Sequence, residues 1–174
     1  VLFMVFSTQV SPGAEEEMVE GAVILVQKTA PVVFLDAQNQ KLDDESMQEG
    51  FLVPLDHWVQ AGEGGRALLL LSNGTLLTVD ENSKIKVTSF EQEPLEAKWK
   101  NLGSVEEEPS SSNILIDIDV GSLVFKTKKL KKKSNFQIST PLGTAGIRGT
   151  QGDVSFSATG GMQVDVTESM VEVT

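Results

Sequence analysis

The chain has no cysteine, no tyrosine and a single histidine, His57. Without cysteine, disulfide scaffolds, zinc–thiolate sites, iron–sulfur clusters and cysteine nucleophiles are all excluded. One imidazole builds neither a multi-histidine metal site nor an acid–base pair of histidines. Basic residues are also scarce: 14 Lys and Arg against 25 Asp and Glu leave a net charge of −11. That balance repels nucleic acid and anionic membrane surfaces unless positive charge is concentrated locally. No apolar run approaches the ~20 residues needed to cross a bilayer as a helix.

What is present fits one folded domain. The 174 residues are 40% hydrophobic and 22% charged, enough for a substantial core and too few for two comfortable ones. The N-terminus reads VLFMVF (1–6), STQVSPGA (7–14) and EEE (15–17). An uncharged apolar hexamer followed by small polar residues reads as the tail of a secretory signal peptide, cleaved near Gly13 or Ala14. Residues 1–14 are then its remnant, and the mature protein is expected in the periplasm, outer envelope or extracellular space. The alternative for 1–6 is a buried first strand.

From Gly21 onward, short apolar runs alternate with turn signals: 22–27, 32–35, 51–55, 66–71, 76–79, 84–87, 114–120, 123–126, 136–139, 154–156, 162–166 and 170–173. Runs of this length and spacing predict an all-β domain over 21–174, sandwich-like, barrel-like or solenoid-like. Two stretches, 36–50 and 91–113, lack the alternation and are expected as surface excursions. In LLLLSNGTLLTV, Asn73-Gly74 predicts a two-residue type I′ hairpin that sets Leu71 opposite Leu76 and Leu70 opposite Leu77. Leu68 to Leu71 is apolar on both faces, so this hairpin is expected to be covered on each side. In ILIDIDV, alternation puts Ile114, Ile116, Ile118 and Val120 inward, and Leu115, Asp117 and Asp119 outward.

Four features could carry chemistry. Gly143, Gly146, Gly149 and Gly152 recur every third residue. They match neither the Walker nor the dinucleotide spacing, and the triplets contain no collagen-like proline. Pro141 and Ile147 argue against a floppy linker. A rigid turn region inside a β domain remains, where glycine permits close backbone approach or positive φ. Asp117 and Asp119 are a candidate carboxylate pair for glycoside hydrolysis, but alternation alone predicts polar residues there. His57 and Asp56 would point to opposite faces of a strand, and no Gly-x-Ser-x-Gly elbow occurs, so the chain reads as non-enzymatic with no cofactor. Finally, Lys126, Lys128, Lys129, Lys131, Lys132 and Lys133 fall within eight residues. They could bind an acidic partner, anionic lipid or polysaccharide, or simply guard a sheet edge at a solvated turn. Nucleic acid is not indicated, because interleaved aromatics are missing.

Two blocks resemble the FecR domain family. QAGEGGRALLLLSNGTLLTVDENSKIKV (60–87) carries Gly62, Gly65, Arg66, Ala67, Asn73, Gly74, Asn82 and Ser83 of the first hallmark. VGSLVFK and FQISTPLGTAGIRGT (within 120–150) carry Gly121, Phe136, Thr140, Pro141, Gly143, Gly146, Arg148, Gly149 and Thr150 of the second. The resemblance implies an all-β, envelope-located, non-catalytic domain whose glycine ladder is a structural signature. Its partner would be a protein of the cell envelope, in signalling or scaffolding, and the closer likeness is to exported free-standing domains. The rival reading is a glycan- or envelope-polymer-binding protein using the lysine run, the face with Asp117 and Asp119, or the two tryptophans, Trp58 and Trp99. One departure stands out: the family usually has a bulky residue at the place of Gly152. If that side chain is a core knob, its loss costs about 3–5 kcal/mol unless the site repacks.

Overall fold

A computed structural model describes residues 17–43, 46–95, 105–148, 151–168 and 171–173. The expected signal remnant, Trp99, Gly149 and Thr150 lie outside them. The chain forms β1 (Val19–Glu20), β2 (Val23–Thr29), β3 (Val32–Leu35), β4 (Trp58–Ala61), β5 (Arg66–Leu71), β6 (Leu76–Val79) and β7 (Ser83–Gln92). After these come β8 (Ser112–Lys126), β9 (Asn135–Thr140), β10 (Gly143–Ile147), β11 (Gln151–Ser157), β12 (Gly161–Glu168) and β13 (Val171–Val173). The all-β expectation holds. Among the described residues, no helix is long and apolar enough to cross a membrane.

The strands form one continuous sheet that folds over on itself into a nearly closed, barrel-like body. The first layer runs β3–β4–β7–β8–β9–β10–β13, with β1 along the end of β7. The second layer runs β2–β5–β6–β8–β11–β12. Among the described strands, all pairings are antiparallel except β8–β9. Period-two patterning explains the layers. In β7, Ser83, Ile85 and Val87 are buried while Lys84, Lys86 and Thr88 are not, and the inner rows of both layers make one core. Phe125 of the second layer meets Phe136 of the first edge-on, with ring centroids 5.9 Å apart.

β8 belongs to both layers. Its first half pairs with β7 and β9, and its second half with β6 and β11. The corner is Gly121, with φ 96°, where a Cβ would lie 2.4 Å from the Ser83 Cα. Only glycine meets both demands. Ser83 Oγ accepts the Ser122 N–H at 2.8 Å and holds the corner shut. The alternation restarts there. Val120, expected inward, is 42% exposed, and Leu123 and Phe125 take over the core row. Two runs expected as separate strands are therefore one bent strand.

Three further expectations change. The Asn73-Gly74 turn is not type I′, because only Gly74 takes a positive φ, 88°. Leu71 C=O accepts the Gly74 N–H at 2.8 Å and Leu71 N–H donates to Thr75 O at 2.9 Å. This turn with a glycine bulge slips the register by one, placing Leu70 opposite Leu76 and Leu69 opposite Leu77. Three of the four ladder glycines lie in strands rather than in a turn, Gly143 and Gly146 in β10 and Gly152 in β11, and Gly146 pairs with Gln137 and Glu172. The turn itself is Pro141-Leu142, closed by Leu142 N–H donating to Thr140 Oγ1 at 3.3 Å. The 51–55 run makes only an isolated bridge, Leu52 with Ile24, while β4 is a strand that no apolar run marks in the sequence.

Gly152, the family departure, is buried opposite Phe125. A Cβ there would stand 2.8 Å from the Phe125 ring and 2.5 Å from Asp165 O. The aromatic on β8 fills the space that a bulky residue on β11 would take.

Candidate functional site

The two hallmark blocks meet at a buried carboxylate. Glu108 is 2% exposed. Its Oε2 accepts from Ser112 Oγ at 2.8 Å, and its Oε1 accepts from Lys131 N–H at 2.6 Å and from the Ser134 hydroxyl. Ser112 Oγ in turn accepts from Asn73 Nδ2 at 3.1 Å, and Ser134 Oγ accepts from Ser112 N–H at 3.0 Å. Arg148 Nη1 closes the chain by donating to Ser134 O at 2.8 Å. Asn73 of the first block and Arg148 of the second are thus joined through two serines and one glutamate. A buried carboxylate is tolerated because three donors replace its water shell.

The same cluster pins the lysine-bearing crossover from β8 to β9. Lys129 N–H donates to Glu106 O at 3.0 Å, Glu108 N–H donates to Lys129 O at 3.1 Å, and Lys129 Nζ stands 3.8 Å from Glu107. Lys131 Nζ donates to Pro109 O at 3.1 Å. Lys129, Lys132 and Lys133 are exposed, while Lys128 and Lys131 are half-buried. The run is laid against Glu106 to Glu108, which offsets part of its charge. Glu108, Ser110 and Ser111, inside the stretch expected at the surface, are buried. Glu108 escaped the sequence reading because three consecutive glutamates carry no mark of which one turns inward.

Other predicted residues are used locally. Arg66 Nη2 meets Asp80 Oδ1 at 2.8 Å. Gly65 passes under β2–β3: a Cβ there would lie 2.2 Å from Pro31 O. The Asp117–Asp119 pair is engaged side by side rather than poised over a cleft. Asp117 accepts from Thr88 Oγ1 at 2.7 Å, and Asp119 pairs with Lys84 at 3.1 Å. His57 Nδ1 lies 2.8 Å from Leu55 O. The Trp58 ring is faced by Lys84 and Lys86 Nζ, 4.6 and 4.9 Å from its centroid, and Lys86 also bonds Asp56. This ring is therefore capped by cations rather than bare for stacking on a sugar. Among the described residues, no cluster of His, Asp and Glu could hold a metal ion.

Two crystal structures of a protein from Parabacteroides distasonis ATCC 8503, described as a candidate anti-sigma factor, resemble the fold at TM-score 0.38 and 16% identity. The match covers 67% of this chain and 50% of that one, so the chain spans about half of that structure's length. No curated protein sequence matches the chain. The sequence profile described as FecR protein matches residues 58–172, taking in β4 to β13 and both hallmark blocks that Glu108 ties together. The chain belongs to the FecR family.

Proposed function

We propose that this FecR domain is a non-catalytic, exported interaction module of the cell envelope, working in signalling or scaffolding through a protein partner. The observation that carries the reading is how the hallmark side chains are used. Asn73 donates to Ser112, Arg148 to the Ser134 carbonyl and Arg66 pairs with Asp80, so the family signature holds the fold together rather than reaching for a ligand. Recognition then falls to the surfaces that this scaffold presents.

The test is to express the tagged chain in its own cells, fractionate them, and crosslink before purification. The expected result is recovery outside the cytoplasm with one defined envelope protein at fixed stoichiometry, and an altered transcript profile when the gene is deleted. Recovery in the cytoplasm overturns the export claim. Saturable glycan binding that persists at moderate salt overturns the protein-partner claim.

A further inference from the structure

The four-leucine run of β5 was expected to be covered on both sides, and among the described residues only one side is covered. Leu69 and Leu71 face the core, while Leu68 and Leu70 point outward. Register extends that outer row across the second layer. Leu52 bridges Ile24, Ile24 pairs with Leu70, and Leu70 pairs with Leu76. In the next row Leu68 pairs with Thr78, Thr78 with Val124, Val124 with Asp153 and Asp153 with Asp165. Leu52 is 58% exposed and the other aliphatics are half-buried by their neighbours alone. Shallow clefts of about 300 and 240 Å³ flank Leu68 and Thr78. The outer side of a sandwich layer ordinarily alternates to polar residues, and a contiguous apolar face of this kind marks an interaction site.

The charges bordering this face select the occupant. Toward β11 and β12 stand Asp153 and Asp165, while at the β5 side Arg66, which shares a cleft with Leu68, is already paired with Asp80, and Lys126 lies beside Leu76. The Asp153 carboxyl is pushed up by burial, then by Asp165 and by Asp80, so anionic charge there is crowded and a cation relieves it. β11 lies two interstrand steps beyond β6, about 10 Å, which matches the ~10–12 Å width of a helix with its side chains. Helices are the elements that cover apolar sheet faces.

Resting on the interaction-module reading, we infer that this outer face docks an amphipathic helix of a protein partner. Its aliphatic stripe sits on Leu68, Leu70 and Leu76, and lysine or arginine residues along one flank reach Asp153 and Asp165.

The probe is a pair of designed helical peptides with the same leucine stripe, one with a lysine flank and one with a glutamate flank, titrated into the isotope-labelled chain. The lysine peptide is expected to shift amides of β5, β6 and β11 saturably. Its affinity should fall at least tenfold in Leu70→Lys and severalfold in Asp165→Lys, with amide dispersion confirming that both variants are folded. Equal affinity for the glutamate peptide, or shifts centred elsewhere, overturns the assignment. So does a dimer in sedimentation velocity that Leu70→Lys dissolves, which would give the face to a second copy of the chain. If the envelope protein recovered with the wild-type chain still binds Leu70→Lys, this surface falls while the interaction-module reading stands.

Discussion

On the outer face of the first layer, Lys84 pairs with Asp119, Lys86 with Asp56, Thr88 with Asp117, and both lysines lie against Trp58. On the outer face of the second, Leu68, Leu70, Leu76 and Val124 line up in paired rows that no described element covers. Both faces follow the same two-residue alternation, and both inner rows feed one core. The difference lies in what each outer residue can satisfy within its own chain. Ion pairs and a cation–π contact finish the first face locally. Aliphatic side chains on an open sheet have no equivalent, since their stabilisation comes only from being covered. One face is finished within the chain, and the other, among the described residues, is not.

The sharpest way to break this comparison is within β5. Leu69→Ala, on the core side, is expected to cost about 2–5 kcal/mol in chemical denaturation, whereas Leu70→Ser should cost less than ~1 kcal/mol. Equal costs would mean that both faces are covered within the chain. Next comes the joint that holds the lysine crossover against the body. Glu108→Gln keeps the shape but turns an amide toward the Ser112 hydroxyl, and should cost about 1–3 kcal/mol by the same measurement. On the polar face, Lys86→Ala should cost about 0.5–1 kcal/mol, with the difference shrinking as salt rises. A salt-independent cost would point to packing of the lysine stem instead.

The smallest effect is read in pH. Burial, then Asp165 and Asp80, raise the Asp153 carboxyl above its ordinary value near 3.8. The folded chain therefore holds this proton more tightly than the unfolded one. That stabilisation is fully present below the unfolded value and is lost as pH rises through the folded value. Asp153→Asn should match the wild type near about pH 3 and gain on it toward about pH 7, in thermal melts across the range. No gain would mean that the carboxyl is not crowded, and the case for a cationic flank on the partner weakens.

Much of the architecture was legible because alternation is a local property. Val32–Leu35, Arg66–Leu71 and Leu76–Val79 are strands with the boundaries read from the sequence. Trp58–Ala61 was missed because four residues beside Asp56 and His57 show no clear period. Gly143, Gly146 and Gly152 lie in strands rather than a turn, because glycine is permissive in strands as well as turns. The hairpin register slipped because Asn73 commits its side chain elsewhere, Oδ1 to Thr75 N–H and Nδ2 to Ser112, and only Gly74 takes the left-handed conformation.

Residue order alone settled the all-β class, most strand positions, the chemistry of each outer row and the family, because these depend on neighbours two to ten residues apart. Folding in space decided the rest. It bent β8 at Gly121 against Ser83, and it brought Glu108 within reach of donors 4 to 26 residues away. It also left the leucine rows of the second layer without cover from any described element. Contacts between distant segments form only when particular backbones approach, and no local pattern records which buried donor a glutamate will meet or which apolar face the chain will fail to cover.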